Sequence, residues 1–373
     1  MNKSLFKVHS WAALVAFIPL LVICVTGSLL VFKHEIDSLL MPDQVSIEPG
    51  AQRLPLDTLA ANINKAQPNY EIVGWVLYQD QARADQPYVM EKGTSEWSFL
   101  HLNPYTGAVL SAPVAHDHYL TDWLLELHYT FLLEDAGLVI TSVFAIALLL
   151  LGITGIYLHR KFWKNFFTLR WHSRLVVYFS DLHKMVGVVA SPILLILAFT
   201  GAWWNIASYL HELEEHANGH EHHLMQARLY SDDLSLENMR TDAESTVDGF
   251  TATYISFPWE PGANFTFWGD VPTGNFLTSQ YSSTVSFSAQ TGENLGSYDI
   301  RTAGLGATIV DSYRRLHFGD FAGLVSKIIW ALLGSTPLIL ALTGVTLWWK
   351  RRKQRARAKQ KHLAAGALSA NPT

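Results

Sequence analysis

Four long apolar stretches alternate with two polar segments along the chain. The first is uncharged from Trp11 to Phe32 and is preceded by Lys3 and Lys7. At about 1.5 Å per residue it is long enough to cross the ~30 Å hydrocarbon core of a bilayer. Val139–Leu158, Met185–Leu210 and Ile328–Trp349 are the other three spans. The first stretch is too long for a signal peptide and no small-x-small cleavage site follows it, so it reads as a retained helix. Pro19, Pro192 and Pro337 fall inside spans, where kinks are expected and helix packing re-satisfies the freed carbonyls.

The polar segments carry a different periodicity. In the first, Leu56–Ala66 repeats like a helix, whereas Tyr70–Tyr78, Tyr88–Glu91 and Trp97–Leu102 alternate like strands. Asn103-Pro104-Tyr105-Thr106-Gly107 is turn chemistry leading to a last strand at Ala108–Leu110. The second segment follows the same plan: a helix around Leu234–Ala243, strands at Thr251–Phe257, Asn264–Trp268 and Thr284–Ser288, then the turn Ala289-Gln290-Thr291-Gly292.

The spans themselves repeat. His9 precedes Thr26-Gly27 by 17 and 18 residues, and His183 precedes Thr200-Gly201 by the same offsets. His128 precedes Thr154-Gly155 by 26 and 27, as His317 precedes Thr343-Gly344. The expected fold is therefore a membrane α+β protein of four transmembrane helices in two repeats, each a helix, an α/β domain and a helix. Its parts are helix 1–34, domain 35–126, helix 127–160, loop 161–182, helix 183–210, second domain 211–315, helix 316–350 and tail 351–373.

Charge orients this plan. Arg160–Lys184 holds six Lys/Arg against one acid, and Lys350–Lys361 holds eight and none, whereas His211–Asp320 holds sixteen acids against five Lys/Arg. By the positive-inside rule both termini and the middle loop face the cytoplasm, and both polar domains face the periplasm of a bacterium.

With 49% apolar residues in 373 and a positive mean hydropathy, the chain is too hydrophobic for an ordinary soluble protein. Its single cysteine, Cys24, excludes an intrachain disulfide and cysteine-based zinc or iron–sulfur sites. No phosphate loop, nucleophile elbow or HExxH helix is present, and no nucleic-acid partner is expected.

Sixteen histidines remain to be explained. Orientation sorts those near the membrane into a cytoplasmic layer (His9, His159, His172, His183) and a periplasmic layer (His34, His128, His211, His317). A haem iron takes two axial imidazoles, which facing helices of a bundle supply. The repeat pairs His9 with His183 and His128 with His317. His34, His211, His159 and His172 are substitutes within the same layers. Helix-end histidines are also ordinary interfacial polar residues. The tract His211-Glu212-Leu213-Glu214-Glu215-His216 to His220-Glu221-His222-His223 is either a weak transition-metal site or a solvated loop. Trp203, Trp204, Trp348 and Trp349 read as an aromatic belt. The Thr-Gly pairs allow close helix packing or approach to a flat ligand.

These features together resemble the PepSY-associated transmembrane family, iron-regulated inner-membrane proteins that include ferric-siderophore reductases. The resemblance rests on the Val8-His9-Ser10-Trp11 start with Thr26-Gly27, the PepSY-like turn Pro104-Tyr105-Thr106-Gly107, Leu127-His128, Asp181-Leu182-His183 and Leu316-His317-Phe318-Gly319. It implies two b-type haems held by membrane histidines and electrons passed outward to a periplasmic ferric siderophore, with Fe(II) released. No flavin- or nicotinamide-binding segment is fused, so the electron donor would be a separate cytoplasmic or membrane component. Trp97, Tyr105, Trp259 and Trp268 are the candidate docking contacts. Two other readings compete: a non-enzymatic PepSY regulatory or binding protein anchored in the membrane, and a siderophore permease component. The first leaves the matched histidines unexplained; the second conflicts with spans that lack charge. Twenty-five or more residues of helix separate the two histidine layers, roughly 35–40 Å at 1.5 Å per residue.

Overall fold

The computed structural model describes residues 3–161, 169–217 and 223–369. In chain order its helices are α1 (Lys3–Leu30), α2 (Lys33–Leu40), α3 (Pro42–Val45), α4 (Leu56–Ala66), α5 (Leu120–Tyr129), α6 (Glu134–Leu158), α7 (Leu175–Ala217), α8 (Leu236–Thr246), α9 (Leu305–Phe318), α10 (Gly323–Gly334) and α11 (Pro337–Ser369). The strands are β1 (Tyr70–Val76), β2 (Gln86–Glu91), β3 (Trp97–Phe99), β4 (Val114–Ala115), β5 (Thr251–Ser256), β6 (Phe265–Asp270), β7 (Ser283–Phe287) and β8 (Asn294–Tyr298). They belong to two compact units. One takes the chain up to Val31, Leu127–Leu210 and from Val325 onward; the other takes Phe32–Glu126 and His211–Leu324.

The first unit is helical. Lys3–Leu30, Glu134–Leu158, Leu175–Glu215 and Gly323–Gln360 are each long and apolar enough to cross a membrane. α1 packs against α6 and α11. Small residues let the other helices approach: Gly152 of α6 lies under Leu195 of α7, and Gly187 of α7 lies beside Leu340 of α11. Pro19 and Pro192 remain inside α1 and α7, but the span expected to be continuous over Ile328–Trp349 is broken. α10 stops at Gly334 and α11 starts at Pro337. Pro337 has no N–H for the Leu333 carbonyl, and the Thr336 hydroxyl donates to that carbonyl instead, at 2.6 Å.

The second unit is built on one antiparallel sheet of order β4-β3-β2-β1-β5-β6-β7-β8. The two polar segments, expected as separate domains, meet at its centre. There β1 pairs with β5 through Gly74↔Ser256, Trp75↔Ile255 and Val76↔Tyr254. Joining the segments edge to edge converts two exposed strand edges into one internal ladder. Gly74 is needed at this seam, because a Cβ there would lie 2.5 Å from the Tyr254 hydroxyl.

α4 and α8 cover the sheet through Leu59, Ile63, Met239 and Ala243, which pack with Trp75, Phe257, Phe265, Phe267 and Phe287 in one core. The two helices also cap each other. Asp57 of α4 accepts from the N–H groups of Leu236 (2.7 Å) and Glu237 (3.3 Å), while Glu237 accepts from the N–H of Leu56 (3.1 Å). Carboxylates at helix N-termini satisfy donors that have no partner within the helix and complement its dipole.

The alternating segments form strands close to their expected bounds. The exceptions are Trp97–Leu102, which is a strand only over Trp97–Phe99, and Ala108–Leu110, where only an isolated bridge, Leu102↔Val109, forms. The edge strand is instead Val114–Ala115. The turns behave alike: Asn103 Oδ1 accepts from Tyr105 and Thr106 N–H, Ser288 Oγ accepts from Gln290 and Thr291 N–H, and Gly107 and Gly292 both take positive φ.

Candidate histidine site in the membrane unit

Three of the four repeat-matched histidines are held by the Thr-Gly pairs of neighbouring helices. His9 of α1 places Nδ1 2.7 Å from Thr154 Oγ1 of α6. His183 of α7 places Nδ1 2.9 Å from Thr343 Oγ1 of α11. His128, at the end of α5, reaches back to α1, with Nδ1 2.9 Å from the Ile23 carbonyl and 3.2 Å from Thr26 Oγ1. Only at Gly27 is the glycine itself needed to make room for the ring. A Cβ at Gly155 would be 3.7 Å from His9 Cε1, at Gly344 3.5 Å from His183 Cε1, and at Gly27 only 2.6 Å from His128 Cε1. The flat group that Gly27 admits is the His128 imidazole. The fixed offsets along the sequence reveal the motif but not this exchange between helices.

A turn between α5 and α6 sets the position of His128. Phe131, Leu132 and Glu134 all have positive φ, so the chain reverses instead of continuing as one helix. Gly137 is required here, since a Cβ would lie 1.8 Å from the Thr130 carbonyl oxygen. The Tyr129 carbonyl, one residue after His128, accepts from Thr141 Oγ1 at 2.6 Å and from Asn205 Nδ2 at 2.9 Å. Asn205 Nδ2 also donates to Thr141 Oγ1 at 2.6 Å. A carbonyl released by the turn thus finds two donors inside an apolar unit.

This turn changes the spacing of the two layers. Because His128 is held at Ile23–Thr26, its level is separated from that of His9 by 14 to 17 residues of α1. At 1.5 Å per residue this is about 21–26 Å, not the 35–40 Å expected for straight helix.

At the other level His159 caps α6, its N–H reaching the Gly155 carbonyl at 3.2 Å. His9 and His159 both lie within electrostatic reach of His183. His172 sits on an exposed turn. His317 and its substitutes belong to the sheet unit. His317 is in the last turn of α9, edge-on to Phe318 at 6.1 Å and just before the left-handed C-cap Gly319. His34 has Nε2 3.6 Å from Asp80, and its buried Nδ1 has no hydrogen-bond partner among the described residues. Burial first, then Arg83, pushes it below the usual histidine range. His211 is exposed and pairs with Glu215 at 3.3 Å. Residues 218–222 of the His-rich tract lie outside the described residues. Among those described, no three His, Cys, Asp or Glu side chains gather in a way that could hold a metal ion.

Sequence reasoning missed a polar cluster in the sheet unit. Lys33 Nζ lies 2.8 Å from Asp37 and 2.7 Å from Asp122 and donates to Thr121 at 2.9 Å. His101 is buried nearby, and burial drives its pKa down to about 4. The expected docking aromatics divide. Trp97 and Trp259 meet edge to face at 5.8 Å beside Tyr88, whereas Tyr105 lines a cleft of about 430 Å³ together with Arg53, Arg240 and Glu237. Trp268 is exposed.

Among curated proteins the chain is similar to an uncharacterized protein of Pseudomonas aeruginosa. The two are 37% identical over 81 residues, which is 22% of this chain and 21% of that protein. The matched region therefore spans about a fifth of the relative's length. A family model covers far more, matching the PepSY-associated TM region over residues 6–351. The chain belongs to the PepSY-associated transmembrane family.

Proposed function

We propose that this chain is a dihaem reductase of a bacterial inner membrane, carrying electrons from the cytoplasmic side to a periplasmic ferric siderophore. The observation behind this reading is the set of histidines seated by Thr-Gly pairs at two levels of one helical unit. An apolar bundle that fixes imidazoles at two levels supplies the ligand type a haem iron takes. b-Type haem, when bound, supplies a one-electron iron couple at each level. His9 and His183 would hold the inner group, with His159 in reach as a substitute, and His128 would be a ligand of the outer one. The 21–26 Å rise between levels shortens further at the edges of two macrocycles.

Orientation follows from charge: the Arg160–Lys184 loop and the Lys350–Lys361 tail are basic and would face the cytoplasm. The two-repeat reading is supported by the matched histidine offsets, the mirrored strand order about β1–β5 and the reciprocal capping of α4 and α8. The sheet unit would then present the docking surface in the periplasm. Oxygen-donor siderophores hold Fe(III) tightly and Fe(II) weakly. One electron per iron, drawn from a separate reductant on the cytoplasmic side or in the membrane, therefore releases the metal and leaves the chelator intact.

The test uses detergent-purified protein reduced anaerobically without excess reductant. On addition of a ferric hydroxamate siderophore and an Fe(II) chelator, the haem bands should reoxidise faster than in buffer, with about one Fe(II) captured per electron stored. Reoxidation no faster than in buffer, with no Fe(II), rules out the reductase activity.

A further inference from the structure

The partners in the three seats favour one proton arrangement. Helical threonines commonly return their hydroxyl proton to the carbonyl four residues back, and each seating threonine does so. Thr154 Oγ1 donates to Leu150 O at 2.6 Å, Thr343 Oγ1 to Ile339 O at 2.7 Å and Thr26 Oγ1 to Val22 O at 2.7 Å. A hydroxyl has one proton, so what it offers the imidazole is a lone pair. With the hydroxyl proton on that carbonyl, Nδ1 of His9 and of His183 is the donor. His128 gives the same answer independently, because the Ile23 peptide oxygen can only accept. A neutral imidazole with its proton on Nδ1 carries its free lone pair on Nε2.

We propose that Thr154, Thr343 and Thr26 are positioning residues that lock their histidines as Nδ1–H tautomers and set Nε2 as the iron-binding atom. This rests on the haem reading above. Two consequences follow from the chemistry. The ring cannot turn over to present Nδ1 without losing its acceptor, so ligand geometry is selected before the cofactor arrives. The Nδ1–H···O bond also adds electron density to the ring, which makes Nε2 a more basic ligand and favours Fe(III). Losing the bond should raise the reduction potential of that site.

Thr343→Val keeps the shape and removes the hydroxyl acceptor, whereas Thr343→Ser keeps it. In the full-length protein, redox titration should give T343V an upward shift in one of the two steps, the one lost in H183A, or a loss of that haem. T343S should stay at the wild-type value. A second measurement needs no haem: ring-15N NMR of the haem-free protein should place the His183 proton on Nδ1 in wild type and T343S but not in T343V. Wild-type potential and tautomer in T343V overturn the inference. If the wild type takes up no haem, the reductase reading fails, and the tautomer measurement still decides the role of the threonine.

Discussion

Replacing His183 by alanine is expected to lower the haem content of the purified protein by about half, since one of two bis-imidazole sites loses an axial ligand. The reason is local. His183 stands where α7 meets α11, fixed by Thr343, and shares its level with His9 and His159. His128 is anchored elsewhere, on Ile23 and Thr26, so the bands of the second site should survive. His9→Ala should give the same partial spectrum, and His159→Ala should leave haem content unchanged. Full haem content in both H9A and H183A would move the ligand role to His159, the third imidazole at that level.

Gly27→Ala should produce the complementary loss. The added Cβ would stand 2.6 Å from His128 Cε1 and 3.2 Å from its Nδ1, closer than van der Waals contact allows, so the ring must leave its seat. The helix itself is not harmed: alanine is preferred over glycine in a helix interior by about 1 kcal/mol. The expected result is loss of the outer haem with helical content and the inner haem retained. Gly155→Ala is the control, because its Cβ would meet His9 Cε1 at an ordinary 3.7 Å. Retention of both haems in G27A, measured by haem extraction and difference spectra, would mean that the His128 ring is not a ligand.

Much of this architecture is legible in the sequence because it is written in local periodicity. Uncharged runs of bilayer length mark the spans, and strict alternation of burial marks β6 and β7. The strand β8, Asn294-Leu295-Gly296-Ser297-Tyr298, is exposed along its whole length and so has no buried face to give it a pattern. The seam between β1 and β5 joins residues about 180 positions apart, and no local signal specifies which edge a strand selects. The break before Pro337 has no local signal in the sequence, since Pro19 and Pro192 sit in apolar runs without ending their helices. The histidine seats were half legible. Repeated offsets singled out His9, His128, His183 and His317 with four Thr-Gly pairs, but the partner of each described ring lies on another helix. The reversal at Phe131–Glu134, which brings His128 down to Ile23, depends on positive φ at residues that ordinarily avoid it.

The central claim is that the matched histidines hold haem, and the most direct measurement is the haem content of the full-length protein purified in detergent from haem-replete cells. The pyridine haemochrome should give about two b-type haems per chain, with a Soret band and a reducible α band of bis-imidazole character. Colourless protein, with no iron porphyrin in the acid–acetone extract, would contradict the account.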